Sequence, residues 1–146
     1  LTQRSLDVYK DVYACFVDYE KAFDRVKHEK MLDILLQCGI DDKDIRIIAN
    51  LYWNQKASVK YDNTEVIDIC RGVRQDCILS PLLFNLYSET IFREALHDET
   101  AVIIINGQVV NNIRYADDTV LLVDNTQDLI TLIHKVNTTS QKYGLS

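Results

Sequence analysis

The sequence predicts an α+β fold, an antiparallel sheet backed by helices, and three observations carry that prediction. Segments of strand character and segments of helical period follow one another in a mixed order: strand, helices, strands, helix, strands, helix. The longest purely apolar runs, residues 101–105 and 120–123, have strand length and fall far short of a bilayer span. With 4 glycines and 1 proline in 146 residues, the chain has almost nothing from which to build flexible linkers.

Each element has a local reason. Residues 13–18 (YACFVD) read as a short buried strand ending on an acid, because aromatic and β-branched side chains dominate and no helical stripe fits. Met31, Ile34, Leu35 and Cys38 recur at i, i+3, i+4 and i+7, which predicts an amphipathic helix over 28–38, stopped by Gly39. Ile45, Ile48, Ala49 and Tyr52 repeat that spacing over 42–53. Residues 57–61 and 65–70 read as paired strands about a turn near Asp62-Asn63. An irregular polar segment, 71–80, comes next. Ser80 is expected to cap a helix that Pro81 opens and that continues to residue 96. Residues 102–105 and 109–113 flank Asn106-Gly107, the strongest hairpin signal in the chain. Residues 115–123 read as two strand halves around Ala116-Asp117-Asp118. The last helix, 127–143, carries Leu129, Leu132, Ile133 and Val136 on one face and ends at Gly144.

The length suits one ordinary domain, so residues 1–146 are taken together. A content of 47% hydrophobic and 26% charged residues excludes disorder. No basic-then-apolar leader opens the chain, and its start at Leu1 in place of methionine suggests a piece of something longer. Four cysteines, at 15, 38, 70 and 77, show neither C-x-x-C pairing nor zinc spacing, and are read as buried or half-buried reduced thiols of an intracellular protein. The net charge of −6 is uneven: residues 1–60 balance at 10 of each sign, while residues 61–146 carry 6 basic and 12 acidic side chains. Such an acidic balance by itself argues against nucleic-acid binding.

The oddest local feature is Asp117-Asp118, which interrupts an otherwise apolar segment. An isolated Asp-Asp pair is most often a solvated turn. Asp18, at the end of the first strand, alters that weighing. Two carboxylates at the ends of hydrophobic strands become neighbours if those strands adjoin in one sheet. They then repel unless cations neutralise them. Mg²⁺, a hard ion held by one or two carboxylates plus substrate phosphates, is the natural partner. Two such ions roughly 3.5–4 Å apart can stabilise both the attacking and the leaving oxygen of a phosphoryl transfer. Composition and spacing lead to a candidate metal site and no further.

Three strings, in order, add a family. Residues 16–24 (FVDYEKAFD), residues 71–81 (RGVRQDCILSP) and Tyr115-Ala116-Asp117-Asp118 together closely resemble the first three palm motifs of reverse transcriptases. The wording DYEKAFD, RQ-x-C-x-LSPLLFNLY and RYADDT resembles the non-LTR, LINE-like retrotransposon branch. The resemblance covers residues 11–146 and implies a polymerase palm that copies an RNA template onto a DNA primer from dNTPs.

The resemblance also implies site residues. Asp18 would be a metal ligand and Asp117 its partner, with Asp118 contributing less directly; the complement would be two Mg²⁺ ions, with Mn²⁺ as a substitute. Phe23 would lie under the incoming sugar and exclude a 2′-hydroxyl; it could equally be a core aromatic. Backbone N–H groups from Tyr19 through Lys21 and Ala22 to Phe23 would face the triphosphate. Gln75 would pack near the nucleotide and template. Arg71 and Arg74 would approach nucleic-acid phosphates, unless they are simply solvated loop charges. Asp76 departs from the family pattern, which usually has a glycine there, and so puts a negative charge near the triphosphate. Ile78, where proline is also common, is a milder change.

The resemblance further implies that most of the fingers and the thumb lie outside these residues, in the remaining domains of a parent polyprotein. That would explain the acidic balance, and this stretch on its own is expected to be inactive. An intracellular location, nuclear or cytoplasmic, without a membrane partner follows. Two other readings stay open here. One is a non-catalytic relic serving as an interaction module, which Asp76 favours. The other is an RNA-directed RNA polymerase palm, against which Phe23 and Ala116 speak.

Overall fold

The computed structural model describes residues 11–53, 55–61, 63–74, 77–98, 103–105, 108–115 and 118–146. The first strand, β1 (Tyr13–Val17), forms where the sequence places it, with the following acid one residue beyond its end. A single turn of helix, α1 (Ala22–Arg25), comes after it, entered through Lys21 in the left-handed region at φ 52°. Helix α2 (His28–Gln37) buries Met31, Ile34 and Leu35. Cys38, expected to extend that stripe, lies exposed just past the helix, because Gly39 at φ +72° lets the chain turn away. Helix α3 (Asp42–Tyr52) buries Ile45 and Tyr52 as its spacing predicts.

Strands β2 (Gln55–Tyr61) and β3 (Asn63–Ile69) form a two-stranded antiparallel ribbon, longer at each strand's leading end than expected. Helix α4 (Ser80–Ala95) starts at Ser80 itself, with Leu79 as the capping residue and no side-chain cap. The expected Ser80 cap is not made, because the helix begins one residue early and Ser80 stands inside its first turn, where its hydroxyl donates to the carbonyl of Arg74. Strands β4 (Ile103–Ile105) and β5 (Gln108–Val110) pair antiparallel, and the expected turn residues Asn106-Gly107 lie outside the described residues. The expected second arm, 109–113, is split. Asn112 and Ile113 belong instead to β6 (Asn112–Tyr115), which joins the main sheet with β7 (Asp118–Val123).

The three-stranded sheet has the order β1-β7-β6, antiparallel throughout. Side chains alternate across it. Thr119, Leu121 and Val123 face the core, with Tyr13, Cys15 and Val17 packed beside them. The last helix, α5 (Thr126–Tyr143), crosses this covered face and packs against α4. Its start is capped by Asn125, whose side chain accepts from the Asp128 amide at 2.8 Å. Its end is a Schellman turn: Gly144, at φ +86°, donates to Gln141, and Leu145 donates to Ser140 while burying its side chain completely. The core is filled from α4 by Leu83, Phe84, Tyr87, Ile91 and Phe92, and from α5 by Leu132 and Val136.

The other face of the sheet is covered at Leu122, 5% exposed, and open towards the end that bears Phe16 and Tyr115. Phe16 and Tyr115 are 81% and 83% exposed there. Among the cysteines, Cys15 and Cys77 are half-buried, but Cys38 and Cys70 are exposed, which corrects the expectation of wholly or partly buried thiols; all four are unpaired. No helix among the described residues is long and apolar enough to cross a membrane.

Candidate functional site

Pairing of the first and last strands of the sheet does what separation along the chain hides. β1 meets β7 with Val17 opposite Thr119. Continuing that register by one residue sets Asp18 opposite Asp118, the first residue of β7, which itself pairs with Tyr115 of β6. Both carboxylates are exposed. By alternation both belong to the open face, with Phe16 and Tyr115. Two oxygen-donor side chains in facing positions on a solvent-reached surface suit a hard divalent cation and repel one another without one. Asp117 lies outside the described residues, as do Ala116, Gln75 and Asp76. Among the described residues no third ligating side chain joins the pair.

The residues after Asp18 divide between core and surface. Tyr19 is buried, and its hydroxyl shares a hydrogen bond with Ser140 of α5 at 2.8 Å. Burial pushes its phenol pKa up, against the lowering pull of Ser140 and of the Arg114 charge. Ala22 is also buried, so any ligand contact from either residue falls to the backbone. Not every amide of this turn is available: the Glu20 N–H donates to the carbonyl of Ser146 at 3.0 Å. Lys21 is exposed. Phe23 is half-buried and rests on Phe84, ring centroids 4.7 Å apart at 31°. It is therefore a core-supported aromatic that keeps part of its surface in solvent.

Arg71 and Arg74 are carried to the same region by backbone. The Gly72 N–H donates to Val26 at 2.8 Å, and the Val73 N–H donates to the Phe23 carbonyl at 2.8 Å. Lys27 and Arg71 form an isolated antiparallel bridge. Gly72 is needed here: its φ is +94°, and a Cβ would stand 3.0 Å from the Asp24 carbonyl oxygen. Both arginines are exposed. The far end of this loop is tied by Tyr52, whose hydroxyl donates to the Cys77 sulfur at 3.1 Å and lies 3.1 Å from Ser80 Oγ. That hydrogen bond from Tyr52 is the main reason the Cys77 thiol pKa is lowered.

The structure thus brings the strands that carry Asp18 and Asp118 side by side, and joins the Phe23 backbone to the loop that carries Arg71 and Arg74. Sequence reasoning missed His28, whose Nε2 lies 2.8 Å from the Gly72 carbonyl oxygen. A signal was present, since His28 stands three and seven residues before Met31 and Leu35 on the buried stripe. The close approach of Gly72 to Asp24 had no local signal.

Comparison with known proteins is consistent with this arrangement. Residues 3–146 match the family model described as reverse transcriptase (RNA-dependent DNA polymerase). The chain is 30% identical over 138 residues to the Retrovirus-related Pol polyprotein from type-1 retrotransposable element R2 of Nasonia vitripennis, covering 93% of the chain and 13% of that relative. It is 30% identical over 129 residues to the corresponding polyprotein from type-2 element R2DM of Drosophila melanogaster, covering 87% and 12%. The chain thus spans about an eighth of the length of these curated relatives. Among solved structures, apo telomerase from Candida tropicalis, truncated from its C-terminal domain, superposes with a TM-score of 0.70 at 19% identity, over 97% of this chain and 30% of that one. Telomerase from Candida albicans, in complex with a TWJ fragment of telomeric RNA, gives 0.74 at 11% identity, over 97% and 27%. At these identities the telomerase structures show a shared α+β fold.

Proposed function

The chain belongs to the reverse transcriptase (RNA-dependent DNA polymerase) family, and from that premise we propose that it is the palm of a non-LTR retrotransposon polymerase that extends a DNA primer on an RNA template. The observation that supports the reading is the pairing of Val17 with Thr119, next to which Asp18 and Asp118 stand in the chain. The strands that carry the first and third sequence motifs adjoin there, which supports a two-carboxylate metal site.

Members of this family work with divalent metal ions, and the donor set fits them; the complement proposed is two Mg²⁺ ions, replaceable by Mn²⁺, held by Asp18, Asp117 and Asp118. When bound, the ions would supply charge neutralisation and a more reactive primer hydroxyl. The rest falls to the chain. The exposed part of Phe23 would meet the sugar of the incoming dNTP and crowd out a 2′-hydroxyl, with Phe84 behind it to keep the ring from yielding. Backbone amides at Tyr19, Lys21, Ala22 and Phe23 would face the triphosphate, the Glu20 amide being engaged elsewhere. Gln75 would adjoin the nucleotide and template, while Arg71 and Arg74 would offset phosphate charge. The remaining domains of the parent polyprotein would supply most of the grip on nucleic acid.

The test is primer extension by the full-length polymerase. Asp18→Ala or Asp117→Ala is expected to abolish divalent-dependent extension while leaving the fold intact. Extension at wild-type rate by either variant would overturn the assignment.

A further inference from the structure

Phe23 and the arginine-bearing loop lie far apart in sequence, and a buried side chain outside the expected site touches that loop at Gly72. His28 opens α2 and is 5% exposed. A carbonyl oxygen only accepts, so the 2.8 Å contact between His28 Nε2 and Gly72 O requires the ring to donate from that nitrogen. The ring is also packed on Trp53, with centroids 4.7 Å apart at 49°, so it has little freedom to swing. Gly72 lies close against α1, since a side chain there would meet the Asp24 backbone. Beyond it the Gly72 and Val73 amides bond to Val26 and Phe23. His28 therefore closes one end of a strap whose other end is the Phe23 backbone.

We propose that His28 is a positioning residue for the incoming nucleotide: by holding the Gly72 carbonyl, it sets the distance between Phe23 and the loop that carries Arg71 and Arg74. This rests on the polymerase reading, and it deepens that reading by naming a side chain that touches neither nucleotide nor metal. Without the donor, the Gly72 carbonyl would lose its partner, and this part of the loop would shift on the Gly72 and Val73 amide bonds while its far end stays tied by Ser80 and Tyr52. The loss would then fall on nucleotide fit more than on folding.

The experiment compares three side chains in the full-length polymerase by single-nucleotide primer extension. Gln can present an amide N–H where His28 presents Nε2; Asn is too short to reach, and Leu has no donor. His28→Asn and His28→Leu are expected to raise KM for dNTP about tenfold, well inside the roughly 10²-fold cost of a 1 Å misplacement. Their kcat should stay within about threefold of wild type, since the interaction is not one made only in the transition state. Discrimination between dNTP and rNTP should weaken alongside, and His28→Gln should restore both. If His28→Leu does not fold, the Asn and Gln variants decide between them. Equal KM for Asn and Gln, or a drop in thermal stability of the Asn variant with KM unchanged, would overturn the positioning role. An inactive wild-type polymerase would overturn the polymerase reading itself.

Discussion

Replacing Gly72 by alanine tests the strap directly, and the structure sets the size of the effect. At φ +94° an L-side chain costs about 1–2 kcal/mol relative to glycine. The new methyl would also stand 3.0 Å from the Asp24 carbonyl oxygen and 3.1 Å from its Cα, both backbone atoms that no rotamer change can move aside. The loop would have to retreat, stretching the Gly72 and Val73 hydrogen bonds to Val26 and Phe23, each worth about 1 kcal/mol. The total comes to about 2–4 kcal/mol, a large share of the roughly 5–15 kcal/mol that holds a domain together. Gly39 provides the control. It too has a positive φ, +72°, but no atom lies within 4 Å of its would-be Cβ, so Gly39→Ala should cost only the conformational part. The assay is hydrogen exchange of the full-length polymerase, read at peptides covering residues 22–28 and 70–74, with dNTP KM measured in parallel. Gly72→Ala should speed exchange in both peptides and raise KM; Gly39→Ala should do neither. Equal behaviour of the two variants would refute the close-approach argument.

Shortening Phe23 to alanine should let ribonucleotides in, seen as about a tenfold or greater rise in rNTP over dNTP incorporation when the two compete, an amount equal to about 1.4 kcal/mol of lost discrimination. Phe84→Ala should act in the same direction at a distance, since it removes the support beneath the ring, while costing about 3–5 kcal/mol of stability. Stability should also fall in alkali. Burial raises the Tyr87 pKa from 10.0 to about 12, and its hydroxyl donates to the Tyr143 carbonyl at 2.6 Å. The folded state therefore holds that proton more tightly than the unfolded one. The resulting stabilisation is fully present below pH 10 and is lost as pH rises from 10 towards 12. Denaturant unfolding across that window should show the loss in wild type and less of it in Tyr87→Phe.

Much of the fold was legible because its signals are local. Helix α3 could be read from Ile45, Ile48, Ala49 and Tyr52, and α2 from three apolar positions one turn apart, since a helix repeats every 3.6 residues wherever it sits. The misreadings share a cause. Ser80 has the chemistry of a cap, but the helix starts at Ser80 itself, and its hydroxyl donates to the returning Arg74 carbonyl. Asn112 and Ile113 have the composition of a hairpin arm, yet they pair with Leu121 and Val120 in another sheet. In both cases the tertiary fold overrode the local preference.

The candidate site divides in the same way. The acids, the arginines and Phe23 could be singled out one by one, because residue type and spacing lie within short strings. From that information alone the sequence determined which groups could do chemistry, and the family to which the chain belongs. It did not determine that β1 would lie beside β7, that their register would set Val17 opposite Thr119, or that His28 would meet the carbonyl of Gly72 where the chain abuts Asp24. Those are contacts between segments far apart in the chain, selected by which packing buries the most apolar surface around Phe84, Tyr87 and Leu121. Local patterning sets each strand and helix, but only the shared core decides which of them become neighbours.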